Sequence, residues 1–119
     1  MRMSSSSFDA GDIIVLDFPF SDLQQSKIRP GLVITSKKYN AASPDIIVLK
    51  ITSSQRQQEY GVVLNQPDLD QGALKKQIVV RTDYPLVIEK SLIRSKIAEK
   101  VKPAFLAQIK KKLGQLYGI

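Results

Sequence analysis

From Gly11 to Ile88 the chain is a series of short apolar runs cut apart by turn-forming residues, with no helix-length periodic segment between any two of them. Parallel strands need crossover connections of about a dozen residues or more, usually helical. Alternating βαβ architecture is therefore excluded, and the runs read as strands of a small antiparallel barrel or rolled sheet. Three of them form the organising block: GDIIVLDFPF at Gly11–Phe20, GLVIT at Gly31–Thr35 and IIVLKI at Ile46–Ile51. Gly11-Asp12 is a turn signal at the head of the first. Ile13, Val15 and Phe18 suit a strand, and Ile14 and Leu16 make the alternate face apolar too, as in a central strand covered on both sides.

Further strands are expected at Tyr60–Leu64, Ile78–Arg81 and Leu86–Ile88, with Asp83-Tyr84-Pro85 breaking the last two apart, because proline cannot donate to a ladder. Asn65–Gly72 reads as a turn-rich loop. Ile93, Ile97 and Val101 fit either a helix or a short strand. The clearest helix comes last. Pro103 suits a first helical turn, and Leu106, Ile109, Leu113 and Leu116 recur on one face. The lysines at 110–112 read as a solvated face near the negative end of the helix dipole.

At 119 residues the chain is one domain by size, read as a flexible polar tail at 1–10, with four serines, followed by a domain at 11–119. The tail lacks the apolar core of a signal peptide, and no run approaches the roughly 18–20 apolar residues of a membrane helix. A soluble, cytoplasmic protein is expected. There is no Cys and no His. That removes disulfides, thiolate metal sites and the commonest acid/base group together. Nothing points to a cofactor or a metal.

The formal net charge is +7 and is uneven: residues 1–60 hold seven Lys/Arg against six Asp/Glu, residues 61–119 eleven against five. Such an excess favours polyanions through counterion release. No phosphate-binding glycine motif, zinc spacing or Ser-His-Asp set exists. Asp12 and Asp17 lie five apart on one strand and point to opposite faces, so they are no acid/base pair. Asp68 and Asp70 fit a turn better than a metal. The chemistry left is cationic. Arg29 offers a planar fork of donors suited to phosphate oxygens. Pro30 biases it towards an extended backbone at the mouth of the next strand. Thr52 and Ser53 offer hydroxyls at a strand end. Lys27, Arg56, Lys75, Lys76 and Arg81 could extend a basic groove.

Taken together, GDIIVLDFPF at Gly11–Phe20, IRPGLVI at Ile28–Ile34, Tyr39-Asn40, Ile51-Thr52-Ser53, the stretch Gly72–Asp83 and EKSLIRSKI at Glu89–Ile97 resemble the MazF/PemK toxins of bacterial toxin–antitoxin pairs. The resemblance runs from Gly11 to the C-terminal helix. It implies an SH3-like β-barrel of five to seven strands with a C-terminal helix, and it puts Ile97 in a strand. It implies a homodimer, a metal-independent and sequence-specific endoribonuclease acting on single-stranded RNA, and an antitoxin that occupies the RNA groove. By the same resemblance Arg29 and Thr52 match the family's active-site arginine and threonine. Three positions depart from the pattern: Gln24 stands where some members carry a glutamate, with Asp22 the nearest carboxylate; Ile78 replaces a serine; and Ala98 replaces a glycine. Two other readings of the same motifs are a non-catalytic barrel binding nucleic acid or protein, and a relative of the gyrase-poisoning toxins.

Overall fold

The structure, a computed structural model, describes residues 7–18, 27–53 and 59–119, with the backbone alone at Phe18, Lys27 and residues 95–98. Among the described residues seven strands run β1 (Asp12–Phe18), β2 (Lys27–Val33), β3 (Asp45–Thr52), β4 (Gly61–Leu64), β5 (Leu69–Gln71), β6 (Ile78–Glu89) and β7 (Ile93–Val101). A short helix α1 (Lys37–Ala42) and the terminal helix α2 (Pro103–Tyr117) complete the fold. The strands form one sheet in the order β4-β6-β3-β2-β1-β7-β5, curled into a half-barrel. Every pairing in it is antiparallel. The expected mainly β fold with a C-terminal helix is what the chain adopts.

The doubly apolar first run has a direct structural consequence. Successive strand residues point to opposite faces, and β1 feeds two separate cores. Ile13 joins Leu32, Leu49 and Ile51 in a cluster closed by Phe105 and Ile109 of α2. Ile14 and Leu16 join Val33, Ile46 and Val48 in a second cluster, closed by Phe8 and Ile88. Phe8, within the stretch read as a tail, is 7% exposed, so packing reaches upstream of Gly11. The turn into β1 needs its glycine. Gly11 has φ +98, a region open to glycine at little cost. Its N–H donates to Val33 O at 2.8 Å, and its carbonyl accepts from Val101 N at 3.0 Å.

Several elements differ from the sequence reading. β6 is not broken at Asp83-Tyr84-Pro85 but runs for 12 residues. Its pairing with β3 steps from Leu49–Pro85 to Lys50–Arg81, so Thr82–Tyr84 bulge out and absorb the proline. Thr82 anchors the bulge, its hydroxyl donating to Tyr60 O at 2.7 Å. The loop at Asn65–Gly72 contains β5, whose Leu69 is buried. Asp68 there accepts the Asn65 N–H at 2.8 Å, as an aspartate in a turn does. Residues 93–101 form a strand, as the resemblance implies. The α2 seam centres on Phe105 and Ile109, with Leu106 and Leu113 packed beside it. Lys112 is not simply solvated: its Nζ donates to Glu59 O at 3.2 Å and lies 5.8 Å from the Tyr60 ring centre.

Asn40 explains why α1 interrupts the strands. It is fully buried. Its Nδ2 donates to Phe8 O and Thr35 O, both at 2.9 Å, and its Oδ1 accepts from Thr35 Oγ1 at 2.6 Å. Thr35 Oγ1 accepts in turn from Ile47 N at 3.3 Å. Asn40 thus ties the N-terminal segment to the β2 exit, and Thr35 carries the link on to β3. Asn40→Ala leaves two buried carbonyls without a donor, at about 1–3 kcal/mol for each group stranded. The expected outcome is a urea midpoint well below wild type at an unchanged slope.

Candidate active site

β2 begins at Lys27, so Arg29 is not on a shoulder before the strand but inside it. It lies opposite Leu16 of β1. On the other edge, β2–β3 pairing stops at Gly31–Lys50, next to Pro30, which has no N–H to offer. Extending that register by two residues would set Arg29 opposite Thr52. Here the strands part instead, leaving a groove of about 480 Å³ lined by Arg29, Pro30, Lys50, Ile51, Thr52, Ser53, Lys76 and Ile78. Gly31 fits beneath it because a Cβ there would meet Leu16 Cδ2 and Val48 Cγ2 at 3.2 Å. Those two side chains close over the bare backbone, so the apolar core comes right up to the polar groove.

The groove gathers four of the sequence candidates: Arg29, Thr52, Ser53 and Lys76. Arg29 is exposed. No carboxylate is among the described residues lining the groove. Asp17, the described carboxylate on β1 nearest Arg29, pairs with Ile28 and so faces the other side of the sheet, where it meets Arg94 at 3.4 Å. Lys75 is exposed but outside the lining. Arg56, Asp22 and Gln24 lie outside the described residues, as does the Lys27 side chain. Ile78, one of the departures from the family pattern, does line the groove.

Arg81 is committed elsewhere. Its Nε and Nη2 donate to the two Asp83 oxygens at 3.1 and 2.9 Å. The hydrogen bond raises the Arg81 pKa and holds the Asp83 carboxyl below its usual range. Sequence reasoning missed Lys50, which lines the groove from the middle of β3. Its signal was available: it stands two residues before Thr52, on the same face of the strand.

The chain matches, over residues 9–117, the model of the PemK-like, MazF-like toxins of type II toxin–antitoxin systems. It belongs to that family. Among solved structures it is similar to MazF from Deinococcus radiodurans, with 25% identity, 95% of this chain and 98% of that one covered, and a TM-score of 0.76. It is also similar to the MazE–MazF complex from the same organism, at 25% identity, 95% and 97% coverage, and a TM-score of 0.78. An endoribonuclease in complex with its cognate antitoxin from a mycobacterial species shares the fold at 17% identity, 93% and 95% coverage, and a TM-score of 0.74. No curated protein sequence matches. No helix among the described residues is long and apolar enough to cross a membrane.

The Arg81–Asp83 pair is solvent-accessible, with side chains 27% and 33% exposed. Asp83→Asn is therefore expected to cost under about 1 kcal/mol at neutral pH. A carboxyl whose pKa is lowered on folding contributes stability above its unfolded pKa and loses it as pH falls through the folded one. The difference between wild type and Asp83→Asn in urea unfolding should close in acid.

Proposed function

We propose that this toxin is a sequence-specific endoribonuclease that cleaves single-stranded RNA without a metal, acts as a homodimer, and is neutralised by a cognate antitoxin bound over the same groove. The observation that carries the reading is the meeting of Arg29 and Thr52 in one groove beside the Gly31–Lys50 end of the β2–β3 ladder. Family membership, and solved relatives described as endoribonucleases and as a complex with an antitoxin, support it.

The chemistry follows from the residue types. The RNA 2′-hydroxyl attacks the adjacent phosphorus, an O2′–P bond forms, and the bond to the 5′ oxygen breaks. The products are a 2′,3′-cyclic phosphate and a 5′-hydroxyl, the departing 5′ oxygen taking up a proton from solvent water. Negative charge builds on the phosphoryl oxygens in the transition state. Arg29 meets it with a charged, bidentate donor set, and Thr52 with a hydroxyl donor. Arginine keeps its proton at any physiological pH, so Arg29 stabilises charge and does not serve as the base. The proton leaving the 2′-hydroxyl requires an acceptor outside the described lining, which holds no carboxylate. Gln24, standing where some members of the family carry a glutamate, favours as the second reading a barrel that binds nucleic acid or a protein target without cutting. Mapping the ends produced from a long single-stranded RNA separates the two.

Arg29→Ala should lower cleavage by at least about 10²–10³-fold while circular dichroism and melting stay as in wild type. Wild-type cleavage by the folded variant removes Arg29 from the site. Cleavage should also persist in EDTA, since no three metal-ligating side chains converge among the described residues. A strict requirement for added Mg²⁺ contradicts the mechanism.

A further inference from the structure

The aromatic ring on the β6 bulge serves the groove in a way that neither the sequence motifs nor the family match assigns. Tyr84 sits between two cations. Lys50 Nζ is 4.5 Å from its ring centre and Arg81 Cζ 5.5 Å. The two cations are not equivalent. Arg81 is neutralised by its two hydrogen bonds to Asp83. Lys50 makes no ion pair with any described carboxylate, and it lines the groove that holds Arg29 and Thr52. The bulge itself produces this arrangement. The register step between Leu49 and Lys50 makes room for the extra residues Thr82–Tyr84 opposite the end of β3, which brings the ring over the lysine.

An exposed lysine usually samples many rotamers, and binding a phosphate then costs the entropy of fixing them. A cation held over a ring face has met part of that cost before the ligand arrives. Lys50 lies two residues from Thr52, about 7 Å along an extended strand. That spacing sets Lys50 and Thr52 one after the other along the same face of the groove.

We propose that Lys50 binds a backbone phosphate flanking the cleavage point, and that Tyr84 is a positioning residue which holds the Lys50 ammonium towards the groove. This rests on the reading of the groove as an RNA site, but its test does not require cleavage. The probe is a single-stranded RNA fully 2′-O-methylated, which lacks the attacking hydroxyl and cannot be cut by this chemistry. Its affinity is measured against salt concentration for wild type, Lys50→Gln, Lys50→Arg, Tyr84→Ala, Tyr84→Phe and the Lys50→Gln/Tyr84→Ala double variant. Folding of each is checked by its melting transition.

Loss of one phosphate contact should reduce the slope of log affinity against log salt by about 0.7 for a single strand. That reduction is expected in Lys50→Gln and not in Lys50→Arg, which keeps the charge. Tyr84→Ala should weaken binding roughly two- to fivefold, Tyr84→Phe should bind as wild type, and the Tyr84→Ala effect should vanish once Lys50 is already Gln. A Lys50→Gln slope equal to wild type, or no binding of the probe by wild type, overturns the lysine's role. A Tyr84→Ala effect that persists in the Lys50→Gln background overturns the tyrosine's role. Cleavage of unmodified RNA, run separately, decides the nuclease reading independently: a toxin that binds with the expected slopes and does not cut keeps this inference and loses that one.

Discussion

The site depends on one local event, the parting of β2 and β3 beyond the Gly31–Lys50 pair. Three consecutive residues carry it. Pro30 withdraws a donor from the ladder. Gly31 leaves space for Leu16 and Val48 to close beneath the opening. Arg29 remains paired with Leu16 on the β1 side, so its backbone is held by one neighbour while the other edge faces the groove. An arginine on a free loop would have to be ordered by its ligand. Here the strand has already fixed its backbone, and only the side chain remains to be placed.

The scaffold around that event is stiffened in two ways. Both faces of β1–β3 are buried in separate apolar clusters, so sliding any of these strands by one residue would exchange their core contacts wholesale. At the far end Asn40 binds two chain segments, at Phe8 and at Thr35, through one amide. At the β1 start Asp12, 2% exposed, accepts from Asp9 N–H at 2.9 Å and from Lys100 Nζ at 3.1 Å. The Gly11-Asp12 and Tyr39-Asn40 pieces of the family pattern are thus architectural here, while the Arg29-Pro30 and Thr52-Ser53 pieces line the groove.

How much of this was legible in the sequence varied with the range of the interaction. The double apolar face of β1 is a local pattern and could be read directly. The Arg29–Thr52 meeting became readable through motif resemblance, since the residues are far apart in the chain. β6 was misread because proline inside a strand normally ends it, and the exception depends on a bulge whose partner strand lies some thirty residues earlier. β5 and Phe8 were missed because each is a single buried apolar residue in a polar stretch, too short to show a period. The α2 seam was displaced towards Phe105 because a face of leucines fits the helical period nearly as well as the face the sheet selects. Lys50 was passed over because a lysine within an apolar run looks like a solvent-facing interruption; its importance comes from the groove and the ring beside it.

Pairing, more than the charge count, gives the groove its character. The excess of positive charge lies in the second half of the sequence, yet several of those cations are spent on neighbours. Lys100 pairs with Asp12, Arg94 with Asp17 and Arg81 with Asp83, and Lys112 is tied to the Glu59 carbonyl. Among the described residues the cations lining the groove are Arg29, Lys50 and Lys76, and two of these three come from the nearly neutral first half. Without a carboxylate among the described lining, their fields add over a narrow polar slot floored by apolar side chains. Such a surface favours a chain of phosphates over an isolated anion, because successive phosphates can be met by successive cations along the edge. The bulk net charge favours the encounter of the toxin with a polyanion, while the proposed resting place of that polyanion follows from the cations gathered at the split between β2 and β3, which meet no carboxylate among the described lining.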